Sequence, residues 1–316
     1  MLSRIAESLY WMARHLERAD NTARVLDINV VHRLAAEEGL TEEGQWLPLL
    51  TILGADDRYA ETYPDGRVSV QRVIRLLTQA ETNPGSILNC LRLARENARA
   101  ARDRISTPVW ETIDALCRTA EARLKATLPP WQAAEFHAFV HREVATVYGL
   151  AQGTMMRGEA HSFTRFGALQ ERADMTARIL DVRYHLLLPD PSLVGSPLDY
   201  YQWGVLLKSL SGFDAYRRLY QAGVRPVDVI DFVILNPDFP RSLVYCVSRL
   251  ERSLERIGQR PEGEVGACLE RLRAHLAGVG AADIMAQGLH EYLDAFLTAL
   301  LELSDALTRD YFNHDV

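Results

Sequence analysis

Glu17-Arg18-Ala19-Asp20-Asn21-Thr22-Ala23-Arg24-Val25-Leu26-Asp27-Ile28 returns later in the chain as Glu171-Arg172-Ala173-Asp174-Met175-Thr176-Ala177-Arg178-Ile179-Leu180-Asp181-Val182. Nine of the twelve positions are identical and two more exchange one branched aliphatic for another. A duplication is the simplest cause. Both copies lie in long runs without Pro or Gly, which predicts helices. The spacing three, four, three then places Glu17, Asp20, Arg24 and Asp27 on one face, and Glu171, Asp174, Arg178 and Asp181 likewise. A charged helix face is ordinarily a solvated one. Such a face accepts almost any polar residue, however, so the same order of Glu, Arg, Asp, Thr, Arg and Asp in two places points to defined partners. The expected architecture is an all-α multi-helix bundle, a single domain over 1–316. Its repeat halves would run approximately over 1–157 and 158–316, with the two motif helices related by a pseudo-two-fold axis.

Working outward, the apolar positions Ile5, Leu9, Met12, Leu16, Ala19, Ala23, Leu26 and Val30 alternate steps of four and three, predicting an amphipathic helix from Ser3 to about Ala36. Each motif residue follows a seam residue by one position, about 100° round the helix. There it flanks the buried stripe, half buried against a third helix, where carboxylates and guanidinium groups must pair to offset desolvation. Arg24 and Arg178 are therefore expected to be substantially buried and paired with motif carboxylates.

The 316 residues suffice for one large helical domain or two of about 150 residues. A composition of 48% hydrophobic and 24% charged residues with formal charge -7 gives no support to non-specific nucleic-acid binding. No apolar run approaches the roughly 20 residues that span a bilayer, and the N-terminus lacks the basic-then-apolar order of a signal peptide. The expectation is a cytoplasmic protein. Cys90, Cys117, Cys246 and Cys268 are scattered with no close pair, which argues against a zinc knuckle, a redox motif or a disulfide framework and for buried thiols.

In order, residues from about Gly39 to Gly66 read as a connecting excursion with a short apolar segment, and Val68 to Gln79 as a helix. Asn83-Pro84-Gly85-Ser86 is a turn that starts the next helix. That helix exposes Arg92, Arg95, Arg99, Arg102 and Arg104, the most basic stretch of the chain. It is either a solvated face with Glu96 and Asp103 as local partners or an anion or partner surface. Thr107-Pro108 opens the following helix. From Trp131 to Arg157, His137 and His141 stand at i and i+4. This spacing can serve a metal, but without the embedded Glu of a zincin motif it is weak evidence, and no metal site is assigned. Gly158 to Leu188 carries the second motif and ends at Pro189-Asp190-Pro191. Ser192 to Gln202 reads as a linker, and further helices follow at about Trp203–Leu210, Phe213–Ala222, Pro226–Leu235, Pro240–Gly258, Gly263–Ala277 and Asp283–Asn313. No strand or hairpin pattern occurs.

Leu2-Ser3-Arg4 through Leu9-Tyr10-Trp11-Met12-Ala13-Arg14, running into Glu17-Arg18-Ala19-Asp20, closely resembles the opening of the bacterial alpha-E domain family. The resemblance spans the chain. It includes Asn83-Pro84 with Ser86-Ile87, Ala94-Arg95-Glu96-Asn97-Ala98-Arg99, Trp110-Glu111, Ala215-Tyr216 with Tyr220, and Phe239-Pro240-Arg241-Ser242. Where the family commonly has an acidic residue two positions before Trp110, this chain has Pro108. The resemblance implies an all-helical partner of circularly permuted ATP-grasp ligases, whose genes typically occur beside transglutaminase-like and proteasome-like peptidase genes. It further implies an amide-forming system in which the ligase phosphorylates a carboxylate and an amine attacks the acyl phosphate. ATP and magnesium are expected on that partner and no cofactor in this chain, which has no phosphate-binding loop, Rossmann fingerprint or nucleophile elbow.

The leading reading is therefore a helical subunit of an ATP-grasp amide ligase that binds the ligase and shapes a site for an amino acid or peptide. In it Arg24 and Arg178 fix carboxylates, while Glu17, Asp20, Glu171 and Asp174 hold those arginines or accept an amine. Arg18, Asp27, Arg172 and Asp181 complete the charged network, which is functional or wholly structural. Arg95, Glu96, Asn97, Arg99, Arg241 and Ser242 are anion- or partner-binding candidates. For the last two, Pro240 takes the first helical position and the following amides face outward. The other classes are a scaffold without catalysis and a carboxylate metalloenzyme. The familiar di-metal bundle uses Glu-x-x-His, which neither motif supplies.

Overall fold

The periodic opening run forms helix α1, Ser3–Ala35, in a computed structural model that describes residues 1–35, 42–126, 128–187, 197–221, 223–258 and 263–312. The described residues are helical and contain no strand. They divide into two compact units, Met1–Ala168 and Leu169–Val316.

In the first unit α1 is followed by α2 (Glu42–Ile52), α3 (Asp56–Thr62), α4 (Val70–Thr78), α5 (Ile87–Ala100), α6 (Thr107–Arg123), α7 (Pro130–Thr154) and the first part of α8 (Glu159–Leu187). The excursion expected over Gly39–Gly66 thus contains two short helices, and its first residues lie outside those described. Ser69 and Ser86 begin α4 and α5 by accepting from the amides of Arg72 and Asn89 three residues on. α1 packs against α5, α7 and α4. Surrounded in this way, every side chain from Leu16 to Leu26 except Arg18 is buried. Of the charged positions expected to flank the seam half-buried, Glu17, Asp20 and Arg24 are instead inside, and Asp27 is half-buried as expected. At the end of this unit α8 comes so close to α1 that a Cβ on Gly167 would lie 2.2 Å from the Tyr10 carbonyl oxygen, which only glycine permits.

The second unit contains the rest of α8, then α9 (Pro197–Ser209), α10 (Phe213–Leu219), α11 (Pro226–Ile230), α12 (Leu243–Ile257), α13 (Val265–Leu276), α14 (Ala281–Gln287) and α15 (Leu289–Leu307). α13 packs on α12 and α15, while α11 packs on α9 and α14. Gln170 of α8, fully buried, donates to the Leu300 carbonyl at 3.0 Å and to Ser304 Oγ at 2.6 Å, tying α8 to α15. Three expectations are corrected. Pro197–Gln202, read as linker, is the start of α9, because Pro serves the first turn of a helix as well as it breaks an interior one; residues 188–196 lie outside those described. The terminal run is two helices, since Gly288 adopts φ 102° between α14 and α15. α12 begins at Leu243 behind the N-cap Ser242, leaving Pro240 and Arg241 in the preceding turn. After α11 and α15 the chain continues in π-helical turns, Asp231–Leu235 and Thr308–Phe312.

The structure exposes repetition beyond the twelve-residue stretch. Asp57-x-Tyr59-x-x-x-Tyr63-x-x-Gly66 in the first unit matches Asp214-x-Tyr216-x-x-x-Tyr220-x-x-Gly223 in the second. In each, the two tyrosines pair, with ring centroids 4.9 and 4.7 Å apart, and the glycine has positive φ. The first hydroxyl donates to the carbonyl of Arg67 in one and of Gly223 in the other. Likewise Pro84-x-Ser86-x-x-x-Cys90 matches Pro240-x-Ser242-x-x-x-Cys246. Both serines are buried N-caps, and both thiols lie 3.9 Å from the proline carbonyl.

All four cysteines are buried thiols. Burial pushes the Cys117 thiol up to about 11, which removes it from thiolate chemistry near neutral pH. No described helix is long and apolar enough to cross a membrane.

Candidate functional site

The charged residues of the first motif gather inside unit 1. Glu17, Asp20, Asn21, Thr22 and Arg24 are all buried. Arg24 Nη2 lies 3.2 Å from Asp20 Oδ2, with side chains only 5% and 4% exposed, and also donates to Asn21 Oδ1 in a short hydrogen bond. A guanidinium and carboxylate taken out of water this far persist only as partners. Asp20 has a second commitment: its Oδ1 accepts from His141 Nδ1 of α7 at 2.5 Å. The His141 side chain is 45% exposed. One carboxylate thus links a buried guanidinium to an imidazole at the surface. Because an ionised carboxylate only accepts, this contact places a proton on Nδ1 of His141 and leaves Nε2 as the nitrogen that serves a ligand. Asp27, two turns beyond Asp20 on the same helix, is half-buried. Desolvation raises its carboxyl pKa, and the nearby His141 acts in the opposite direction.

The second motif, in unit 2, carries the same residue types differently. Arg178 engages Asp174 through Nε at 2.9 Å and Nη2 at 3.3 Å, a two-point contact, but with side chains 42% and 21% exposed. The expected burial of Arg178 is therefore corrected to a half-exposed pair. Glu171 is buried, and Arg172 reaches the Pro240 carbonyl at 3.5 Å. Asp181, the counterpart of Asp27, accepts from His290 Nδ1 at 2.8 Å on a histidine 47% exposed. That hydrogen bond holds the His290 pKa above its usual value, aided by the charges of Asp181, Glu291 and Asp294.

His137 and His141 do not form a chelating pair. His137 is fully buried in α7 and shares a 2.9 Å hydrogen bond through Nε2 with Thr78 Oγ1, while His141 turns to Asp20. Burial pushes the His137 imidazole down to about 3, so it is neutral in the folded protein. Among the described residues no group of three or more His, Cys, Asp or Glu side chains is placed to hold a metal.

The basic face of α5 is laced with partners. Arg92 reaches Glu81 and Glu121 at 2.9 Å, Arg95 reaches Asp114 at 2.6 Å, Arg99 pairs with Glu96, and Asn97 donates to the Leu93 carbonyl. Most of these partners come from outside α5, Glu81 before it and Asp114 and Glu121 of α6, with Glu96 the one local carboxylate among them. Ser242 is fully buried, accepting from the Tyr245 amide at 3.1 Å while donating to the Asn236 carbonyl, so its hydroxyl serves the helix start. Pro108 sits in the first turn of α6. His290 lay beyond local sequence signals, having no motif around it; the resemblance marked Tyr220, but not that its hydroxyl donates to Asp231 at 2.5 Å at the start of the π-helical turn.

The fold and site define an all-α protein whose two repeated helices carry carboxylates linked to arginine and to half-exposed histidine. The chain belongs to the Alpha-E family, which matches residues 1–312 and is described as a predicted alpha-helical domain with a conserved ER motif; each copy of the twelve-residue stretch begins with Glu-Arg. An uncharacterized protein of Mycobacterium bovis is similar at 25% identity over 338 residues, covering 96% of this chain and 36% of that protein. Uncharacterized proteins of two Mycobacterium tuberculosis strains show the same identity and coverage. The chain therefore spans about a third of the length of the curated relatives it matches. No solved structure matches it.

Proposed function

We propose that this protein is the helical subunit of an ATP-dependent carboxylate–amine ligase. A circularly permuted ATP-grasp protein supplies the activated carboxylate, and this chain binds that ligase and forms the acceptor side of the site. The observation that carries the reading is Asp20, held at once by buried Arg24 and by half-exposed His141. A network of buried charge leading to the surface is costly for a scaffold, and it suits a site that receives an amine. The mycobacterial relatives add support, because they hold the matching region within a much longer chain, as expected of a module that works beside another. ATP and magnesium belong to the ligase in this reading, and the acceptor is an amino acid or peptide. Closure of two chains over an acyl phosphate also keeps water from it.

The test is copurification with an ATP-grasp ligase, followed by ATP turnover with amino acids for each chain and for the mixture. Amide formation that needs both chains is expected. Turnover by this chain alone overturns the proposal, and ligase activity indifferent to it leaves a scaffold.

A further inference from the structure

We propose that His141 is the general base of the acceptor side, its Nε2 taking the proton that an amine sheds as it attacks, with Asp20 as the positioning residue and Asp27 drawing in the ammonium form. This deepens the ligase reading and rests on it. Asp20 Oδ2 faces Arg24 Nη2 at 3.2 Å and Asp20 Oδ1 takes the Nδ1 proton of His141 at 2.5 Å. Asp20 is buried and cannot swing away, so the ring is held in one tautomer and one orientation. A solvated surface histidine has neither constraint. The His141 ring is nevertheless 45% exposed, which a base that must meet a substrate requires.

The charges around the ring select the ligand. Asp20 and Asp27 approach it from α1, and buried Arg24 pairs with Asp20 and Asn21. The two carboxylates beside the ring favour an ammonium-bearing acceptor over an anion. The acceptor loses its first proton to solvent. Its nitrogen then bonds to the carbonyl carbon of the acyl phosphate made by the ligase. The carbon–oxygen bond to phosphate breaks, its electron pair leaves with phosphate, and the remaining extra proton on nitrogen passes to His141 Nε2, which later releases it to water.

Hydroxylamine separates this role from a structural one, since it is largely unprotonated near neutral pH and attacks acyl phosphates without a base. The protein and its His141→Gln variant are each combined with the ATP-grasp ligase, ATP, magnesium and a mixture of amino acids, with hydroxylamine present or absent. Hydroxamate and amide are both measured, and the melting temperature confirms that the variant is folded. Hydroxamate formation within about twofold of wild type is expected, with amide formation lowered roughly 100-fold, the lower range of general-base contributions. Asp20→Asn should flatten the pH profile of amide formation while sparing hydroxamate. Amide formation unchanged in His141→Gln, or amide and hydroxamate lost in proportion, overturns this assignment alone. Absence of hydroxamate from the wild-type mixture overturns the ligase reading and this assignment with it.

Discussion

The two copies of the repeated stretch place nearly the same residues on a helix and reach different electrostatic outcomes. In the first, Arg24 is sealed in the core with Asp20 and Asn21. In the second, Arg178 grips Asp174 at two points but lies half in water. Beyond two aliphatic exchanges, the copies differ only in Asn21 against Met175. Asn21 supplies an acceptor for the guanidinium that a thioether cannot match, so the one polar difference falls where one arginine needs an additional partner. The histidines diverge too: His141 takes the fourth position of its motif, Asp20, whereas His290 takes the eleventh, Asp181. Similar helices can thus serve one deep network, in which a single carboxylate bridges arginine and histidine, and one half-exposed pair.

The largest expected effect tests that contrast directly. Arg24→Ala deprives buried Asp20 of its guanidinium partner, and should cost roughly 3 to 5 kcal/mol in denaturant unfolding. Arg178→Ala removes a pair largely screened by solvent and should cost less than about 1 kcal/mol. Equal losses from the two variants would erase the distinction between the copies.

Acid should next find the first unit. The unfolded His137 imidazole titrates near 6.5 and the folded one only at about 3. Between these values the unfolded chain binds more protons, so this contribution is fully present above about 6.5 and is lost as pH falls toward 3. From pH 7 to pH 4 the loss is on the order of 3 kcal/mol. Hydrogen exchange at pH 4 should show α7 and α4 opening before the helices of unit 2, and His137→Gln should reduce that difference. Identical acid sensitivity of wild type and variant would remove His137 from the account.

A single exchange at Asn21 sharpens the comparison at its origin. Asn21→Met gives the first copy the residue of the second and should cost about 1 to 2 kcal/mol, because a buried guanidinium loses an acceptor. In an Arg24→Ala background the same change should cost far less. A full cost in both backgrounds would show that Asn21 acts independently of Arg24.

The helices and their caps were legible because their causes are local. Alternating steps of four and three mark α1 to within a residue of its end, and Ser86 and Pro108 stand where a helix must begin. Pro misled twice, at Pro197 and Pro240, since the same residue fits a turn and a first helical position. The motif residues were visible as a set, but their depth was not. The tyrosine–glycine and proline–serine–cysteine pairs were also present in the sequence and became evident only when their hydrogen bonds coincided. Their order is the same in both units.

The sequence by itself determined that this protein is helical, where its long helices lie, and that two of them carry one charge pattern. Those properties depend on residues within a few turns of one another. Tertiary structure decided which charges are sealed from water and which histidine each carboxylate holds. α1 is surrounded by α4, α5 and α7, so positions beside its apolar seam become interior. Periodicity reports a helix's most apolar direction and says nothing of how many neighbours close round it. Asp20 and His141 stand 121 residues apart, and their hydrogen bond exists only because α7 folds back along α1.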